Sequence, residues 1–530
     1  MKTSINPSPS GSGPVQNKNA EHSQMHAQQG NQSSHHLRGA IFSLKRLPPV
    51  ERFVRLGEGR IGVVTSIALL IILTSCSVGP KYRTPTAPVS PAFKETAGWK
   101  QAQPQDDVLR EKWWELFSDP QLNTVEEQVN VSNQTIAVAE AEFRAARAAI
   151  GVARSGLFPA LNVGASAVTS RTSTSPNRAS YVLPMQLSYE ADVWGRIRRS
   201  IEAQVASAQA SAADIETARL SIHSELALDY FELRGLDEQQ RLFEATVAAF
   251  DQALQLTTNR YNQGVVSGVD VAQAQTQLDT ARAESMDLGV ARAQFEHAIA
   301  TLTGKPPVEL TISSGSLANE PPAIPIGLPS DLLERRPDIA SDERRVAVAN
   351  AQIGEARAAF FPTITLSASG GLQSSRIGSL LSWPGRFWSI GPSLAQTVFD
   401  AGRRRAITEE AQAIYDSTVA AYRQNVLTAF QDVEDNLAAL RILSEESAQQ
   451  DIAVQSAQRS LDLANNRYRG GVASYLEVIT AQSALLVNQR TAIGIRVRRM
   501  AASVLLVKAL GGGWNTSELP SSGTLVQHKR

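Results

Sequence analysis

"NRYNQGVVSGVD" spans Asn259–Asp270, and "NRYRGGVASYLE" spans Asn466–Glu477. The two stretches say the same thing 207 residues apart. Each follows a long run with helical periodicity. Gly264 and Gly471 stand where that run stops, and glycine is the usual residue for the left-handed position that ends a helix. Ser267 with Asp270, and Ser474 with Glu477, then have the S-x-x-D/E spacing of a capping box that opens a new helix. The sequence therefore predicts a helix hairpin tip, built twice in one chain.

The repetition extends outward. "AAIGVARSGLFPALNV" (Ala148–Val163) matches "AQIGEARAAFFPTITL" (Ala351–Leu366), and "DVWGRIRR" (Asp192–Arg199) matches "FDAGRRRA" (Phe399–Ala406). A period this long marks duplication of a large unit, not a solenoid of short repeats. Each copy reads alike. A helix runs from Leu122 to about Ser155, and from Asp331 to about Ala359. "LFP" and "FFP" stop these helices, because proline disfavours helix in the residue before it. Alternating segments follow, with Leu161, Val163, Ala165 and Ala167 on one face, then Leu183, Met185, Leu187 and Tyr189 after the turn "TSTSPNRAS". In the second copy Ile364, Leu366 and Ala368 alternate, as do Trp388, Ile390 and Leu394. Period two means strands. Helices over about Arg196–Tyr261 and Arg403–Tyr468 come next, roughly 100 Å long at 1.5 Å per residue. Return helices cover Ser267–Leu302 and Ser474–Leu510.

The first long helix carries Ile222, Leu226, Leu233, Leu236, Phe243, Val247, Phe250, Leu254 and Tyr261 at alternating steps of four and three, with Asp229, Gln240 and Thr257 interrupting. That is coiled-coil spacing. Strands of about ten residues suit a bilayer, and open sheet edges are not tolerated in lipid. Four strands are too few to close a barrel, so copies must pool them: two chains give eight, three give twelve. The residues do not choose between these.

Composition closes off other classes. Lys+Arg and Asp+Glu both number 51, so no basic excess recommends a nucleic-acid partner. Cys76 is the only cysteine and the seven histidines are scattered or lie in the polar leader, so neither a disulfide framework nor a metal site is expected. Phosphate-loop, zinc-protease, nucleophile-elbow and dinucleotide motifs are absent from the sequence, so no catalytic residue, metal or cofactor is assigned. "TGKP" at Thr303–Pro306 reads as a helix end and a turn. The N-terminus reads as an address. A Ser/Asn/Gln-rich leader precedes Arg55, Arg60 and the apolar run Ile61–Leu73, too short to span a bilayer and right for a signal peptide. The run ends in "LTSC" (Leu73–Cys76), which resembles a bacterial lipobox, with Cys76 the lipidated residue. Ser77, where an aspartate would retain a lipoprotein at the inner membrane, points by the same resemblance to the outer membrane.

"EKWWELFSDPQLNTVEEQV" (Glu111–Val129) and "LPSDLLERRPDIASDERRVAVANAQIGEARAAFFPTI" (Leu328–Ile364) resemble the lipoprotein branch of the outer-membrane factors, the exit ducts of tripartite efflux systems. The likeness covers essentially all of the chain after Cys76. It implies an α+β membrane protein: a homotrimer whose four strands per chain form a twelve-stranded transmembrane β-barrel, continued by a periplasmic α-helical barrel with an equatorial region. The expected division is 1–75 leader and signal peptide, 76–121 anchor and N-terminal segment, 122–303 first repeat, 304–330 equatorial linker, 331–510 second repeat and 511–530 tail. The implied partners are outer-membrane lipid, a periplasmic adaptor and an inner-membrane pump of the RND type. Six tips per trimer would give near-sixfold closure at the periplasmic mouth. The alternatives are a duct for type I protein secretion and a coiled-coil lipoprotein scaffold without a pore.

In this family, tip residues close the pore through tyrosine, arginine and carboxylate contacts. The matching positions are Arg260, Tyr261 and Asp270 in one tip, and Arg467, Tyr468 and Glu477 in the other. Capping competes as the role of Asp270 and Glu477, and seam packing as that of the tyrosines. Some relatives place a second acid one turn after the position of Glu477. Thr480 stands there, which leaves any cation selectivity resting mainly on Glu477.

Overall fold

The computed structural model describes residues 77–95, 112–173, 175–318, 320–324 and 329–526. The leader, the signal run and Cys76 lie outside them, as does the stretch 96–111. Fourteen helices and strands are named here: α1 (Pro120–Ser132), α2 (Gln134–Ser155), β1 (Ala160–Val163), β2 (Ser166–Thr172), β3 (Ser175–Glu190), α3 (Arg196–Asn262), α4 (Gly268–Leu302), α5 (Leu332–Arg335), α6 (Pro337–Ala358), β4 (Thr363–Ser374), β5 (Arg386–Ala395), α7 (Arg403–Arg469), α8 (Tyr475–Ala509) and α9 (Ser522–Val526). No helix among the described residues is long and apolar enough to cross a membrane.

The sheet has four antiparallel lanes, ordered β1/β2, β3, β4, β5. The first lane was expected as one strand through Ala165, and it is broken at Gly164–Ala165. Val163 pairs with Met185 and Ser166 with Val182, so one register runs through the gap. Pro184 sits opposite Gly164. It accepts the Gly164 N–H at 3.0 Å but has no N–H to return. The expected turn "TSTSPNRAS" is also shorter than its composition suggests, because Thr172 already pairs with Ser175.

Register decides the faces. Leu187 pairs with Leu161 and Ala368, and Ala368 with Ile390. Alternation then puts Leu161, Val163, Met185, Tyr189, Leu366, Trp388 and Leu394 on one face of the sheet. Ser367, Ser369, Ser389 and Ser393 share the other. Ser369 and Ser389 hydrogen bond across it at 2.8 Å. Both outer lanes have an unpaired edge. A sheet with one apolar face, one hydroxyl-rich face and open edges is an arc of a membrane barrel.

Both N-terminal helices of the repeats were expected to be continuous, and both are broken. Asn133 interrupts the first. Its side chain accepts the Thr135 and Ile136 N–H groups at 2.9 and 3.0 Å and donates to Leu302 O at 2.7 Å. Arg336 interrupts the second, in the extended conformation that Pro337 imposes on it. The breaks are equivalent. Gly304 ends α4 with φ +71, and a Cβ there would lie 2.1 Å from Ser132 O; Gly511 ends α8 with φ +92, and a Cβ would lie 2.1 Å from Arg335 O. Each repeat thus needs a glycine after its return helix and a kink where that glycine docks.

The largest apolar core sits midway along α3, about 40–55 Å from the strand end by helix rise. Leu226, Tyr230 and Leu233 of α3 meet Leu122 and Val129 of α1, Val433 and Leu437 of α7, and Leu506 of α8. Trp113 and Trp114 of the N-terminal segment are buried in it. Of the seam residues, Ile222, Leu226, Leu233, Phe243 and Phe250 are buried. Tyr261 leaves the seam: it is 50 % exposed.

A polar set of three side chains lies against this core. Trp114 stacks on His223 at 4.4 Å. His223 Nδ1 lies 2.7 Å from Glu126 Oε2, and Nε2 lies 3.1 Å from Asn130 Oδ1. Burial holds the Glu126 carboxyl well above its usual range. Burial, then the Arg219 charge, pushes His223 down to about 4. In the neutral set Glu126 O–H donates to Nδ1 and Nε2–H donates to Asn130, while Glu126 Oε1 is buried without a partner among the described residues. A carboxyl raised on folding contributes stability below the unfolded value that is lost as pH rises through the folded one. His223, lowered on folding, acts in the opposite sense, costing stability as pH falls from 6.5 toward about 4. The two offset each other below pH 6.5, and above it Glu126 acts alone. Glu126→Gln is therefore expected to raise the thermal midpoint at pH 8 and to have a smaller effect at pH 5. Equal changes at both pH values would show Glu126 to be ionised in the fold.

Candidate functional site

The two quoted stretches form two hairpin tips at the ends of the long helices. Each ends its helix with the same pair of hydrogen bonds. Gly264 N–H meets Tyr261 O at 2.8 Å and Val265 N–H meets Arg260 O at 2.9 Å; Gly471 N–H meets Tyr468 O and Val472 N–H meets Arg467 O, both at 3.0 Å. This is the Schellman termination. Gly264 (φ +72) and Gly471 (φ +75) have open space where a Cβ would go, so conformation and not crowding requires the glycine.

The caps differ between the tips. In the first, the Asp270 carboxylate accepts the Ser267 N–H at 3.1 Å and its hydroxyl at 3.2 Å. In the second, the expected box is not made. Ser474 forms no side-chain cap bond. Glu477, one methylene longer, carries its carboxylate past the cap to within 3.6 Å of Arg467. Both members of that pair are about half exposed, and such pairs contribute about 0–1 kcal/mol. The Thr480 hydroxyl is turned inward onto Leu476 O at 2.8 Å.

The two tips are joined by one clasp. Arg260 Nη1 donates to Tyr468 O at 2.8 Å, and its guanidinium lies 4.5 Å over the Tyr468 ring. Tyr468 is 4 % exposed. It packs on Tyr475 at 5.3 Å among Ala274, Ala464, Val478 and Ala481. Its hydroxyl lies 3.4 Å from Thr257 Oγ1. Burial pushes the Tyr475 hydroxyl up to about 12, with Tyr468 and then Asp270 acting in the same sense. Of the six residues picked from sequence, the structure brings Arg260 to Tyr468 and Arg467 to Glu477, and Asp270 caps. Tyr261 stands in the open. Sequence reading passed over Thr257 and Tyr475. Thr257 showed only as an interruption of the seam, while Tyr475 lay inside the quoted stretch, in the place where the first tip has Gly268. No group of three or more histidine, cysteine, aspartate or glutamate side chains suited to a metal occurs among the described residues. The arrangement is two hairpin tips held to each other through Arg260 and the buried Tyr468 ring.

The family model for outer membrane efflux proteins matches residues 126–305 and 328–512. A probable efflux pump outer membrane protein of Pseudomonas putida, TtgC, is 33 % identical over 84 % of this chain and 94 % of its own. The toluene efflux pump outer membrane protein TtgF of the same species is 33 % identical over 86 % of this chain and 98 % of its own. The solved outer-membrane channel OprN aligns with a TM-score of 0.77 at 32 % identity, over 83 % of this chain and 100 % of that one. The fold is the one the resemblance implied: four strands per chain in a trimeric outer-membrane barrel, continued into the periplasm as a helical barrel. The protein is an outer-membrane exit channel that works with an adaptor and a pump, and the chain belongs to the outer membrane efflux protein family.

Proposed function

We propose that the chain is a passive conduit for small organic molecules, closed at its periplasmic mouth by the paired tips and served by a pump of the RND type. The Arg260–Tyr468 clasp carries this reading. It joins the two hairpins of one chain through a buried ring and a main-chain carbonyl, so opening the mouth by parting the hairpins must break it. Arg467, Glu477, Asp270 and Tyr261 line the exposed side of the same tips, with Glu477 partly neutralised by Arg467. Cation selectivity then strengthens when Arg467 swings away. Val265, Val472 and Leu476 are exposed at the tips and supply an apolar seat for a periplasmic adaptor. Relatives that export toluene support small organic cargo.

Lipidation of Cys76 fits the same placement. Val78 N–H donates to Trp194 O at 3.0 Å, and a Cβ at Gly195 would lie 3.0 Å from Ser77 Cα. Ser77 is therefore held at the junction of sheet and helix, the periplasmic rim of the barrel, which supports acyl chains on the preceding residue entering the inner leaflet.

The gate reading is tested by tethering. Cys76 is the only native cysteine, so Thr257→Cys with Tyr468→Cys can be bridged by a short bifunctional thiol reagent. Bridged channels are expected to lose export of a fluorescent pump substrate, and unbridged ones to keep it. Export at the unbridged rate after complete bridging would remove the tips from the gate.

A further inference from the structure

The outer half of the barrel carries charge of one sign. In the strand regions 160–190 and 363–399 the charged residues are Arg171, Arg178, Arg376, Arg386 and Glu190. Glu190 ends β3 at the helix side and pairs with Arg196 at 2.7 Å. The four arginines lie toward the opposite end of the sheet, all exposed, with no ion pair among the described residues. The whole chain is balanced at 51 against 51, so this end departs from its composition.

Two of the four belong to one β4–β5 connection, where Arg386 also meets an aromatic ring. Arg386 pairs with Leu372, and Leu372 with Leu183, which places Arg386 on the apolar face. Tyr189 and Tyr181 stand on that face eight residues apart, about 26 Å along a strand, close to the height of a membrane barrel's apolar band. Tyr181 therefore marks the outer interface. Arg386 lies two residue pairs inside it, and its guanidinium is stacked 4.2 Å over the Trp383 ring. Arg376 follows Ser374, the partner of Tyr181. Its backbone is fixed there: its N–H donates to Ser374 Oγ, and its carbonyl accepts the Ser379 N–H, both at 3.2 Å. Arg178 is the contrast. It pairs with Ser170, which puts it on the face opposite Tyr181.

We propose that Arg376, Arg386 and Trp383 form a binding site for the phosphate groups of a phosphorylated glycolipid in the outer leaflet. Guanidinium forks match phosphate oxygens two at a time, where an ammonium offers only a point charge. Stacking on Trp383 holds the Arg386 fork at the interface, and Trp383 and Trp388, both exposed, offer an apolar wall to the acyl chains below. A soluble anion would gain nothing from that wall. The inference rests on the outer-membrane placement of the sheet.

The test uses the purified trimer in phosphatidylcholine nanodiscs containing a small fraction of bis-phosphorylated lipid A, with retained lipid counted by native mass spectrometry. The wild type is expected to retain lipid A over its dephosphorylated form, without displacement by inorganic phosphate. Arg376→Gln with Arg386→Gln lowers retention about tenfold, and Arg178→Gln leaves it unchanged. The same spectra report assembly. Should the double variant fail to assemble, Arg386→Lys, which keeps the charge and loses the fork, lowers retention at least about threefold. Undiminished retention in these variants, indifference to the lipid phosphates, or an equal loss in Arg178→Gln overturns the proposal. Trimers that insert and conduct without retaining lipid A refute this site alone; failure to form inserted trimers would refute the placement beneath it.

Discussion

Arg260→Ala is expected to open the channel. The clasp combines a partly desolvated cation–π contact with a charge-assisted hydrogen bond. Together these contribute about 2–3 kcal/mol, so their loss shifts the closed-to-open ratio by about 30–150-fold. Leak conductance in planar bilayers should rise accordingly, and cells should admit bulky antibiotics that the closed channel excludes. Arg467→Ala is expected to shift the ratio less than about fivefold, because its partner Glu477 is 3.6 Å away and both are in solvent. Tyr468→Phe keeps the ring and the carbonyl and loses only the long 3.4 Å contact to Thr257, so it too should be mild. Equal conductance of Arg260→Ala and wild type would place the closure elsewhere. A larger effect from Arg467→Ala would give it to the exposed pair.

The sequence gives Arg260 and Arg467 equal standing, since both occupy the same position of the repeated stretch. What separates them is a contact across 208 residues, which no local pattern carries. Local signals performed well where the physics is local. The long helices end within a residue or two of the expected places, because Gly264 and Gly471 impose a left-handed stop. The four lanes follow from alternation alone. The break at Arg336 was missed, although Pro337 carries a local signal for it. The break at Asn133 has no such signal, because asparagine is tolerated inside helices until a neighbour rewards its capping; here Leu302 O and the close approach of Gly304 do so. The gap in the first strand depends on which residue faces Gly164, a matter of register and not of composition. The missing second capping box is a competition. The S-x-x-D/E spacing is the same in both tips, but Glu477 has a guanidinium within reach.

Arg234→Met is expected to be the most destabilising single change in the equatorial region. Arg234 is buried, and four partners converge on it: Asp237 at 2.9 Å, Ser313 O at 2.8 Å, Gln121 Oε1 at 2.5 Å and the Tyr230 hydroxyl at 2.7 Å. That hydroxyl donates in turn to Asp119 at 2.7 Å, the residue that caps α1. Asp237 also holds Arg292 at 2.8 Å and the Gly315 N–H at 2.9 Å. One guanidinium thus ties α1, α3 and the linker after α4 together. Methionine fills much the same volume, so packing is not the main loss. The loss is a buried carboxylate with one cation fewer and three acceptors each short of one donor, about 3–5 kcal/mol by analogy with broken buried pairs. The urea midpoint of the assembled protein should fall, and the linker 304–330 should become the first site of proteolysis. Adding Asp237→Leu should recover part of the loss, because a buried pair replaced on both sides costs less than one broken on a single side. Recovery stops short of wild type, since Arg292 then keeps only Glu296 and Ile312 O, and the Gly315 N–H loses its acceptor. If the double variant is no more stable than Arg234→Met, the cost lies in the stranded Gln121, Tyr230 and Ser313 groups. In that case the network holds α1 and the linker in place chiefly by hydrogen bonding, and its charge is incidental.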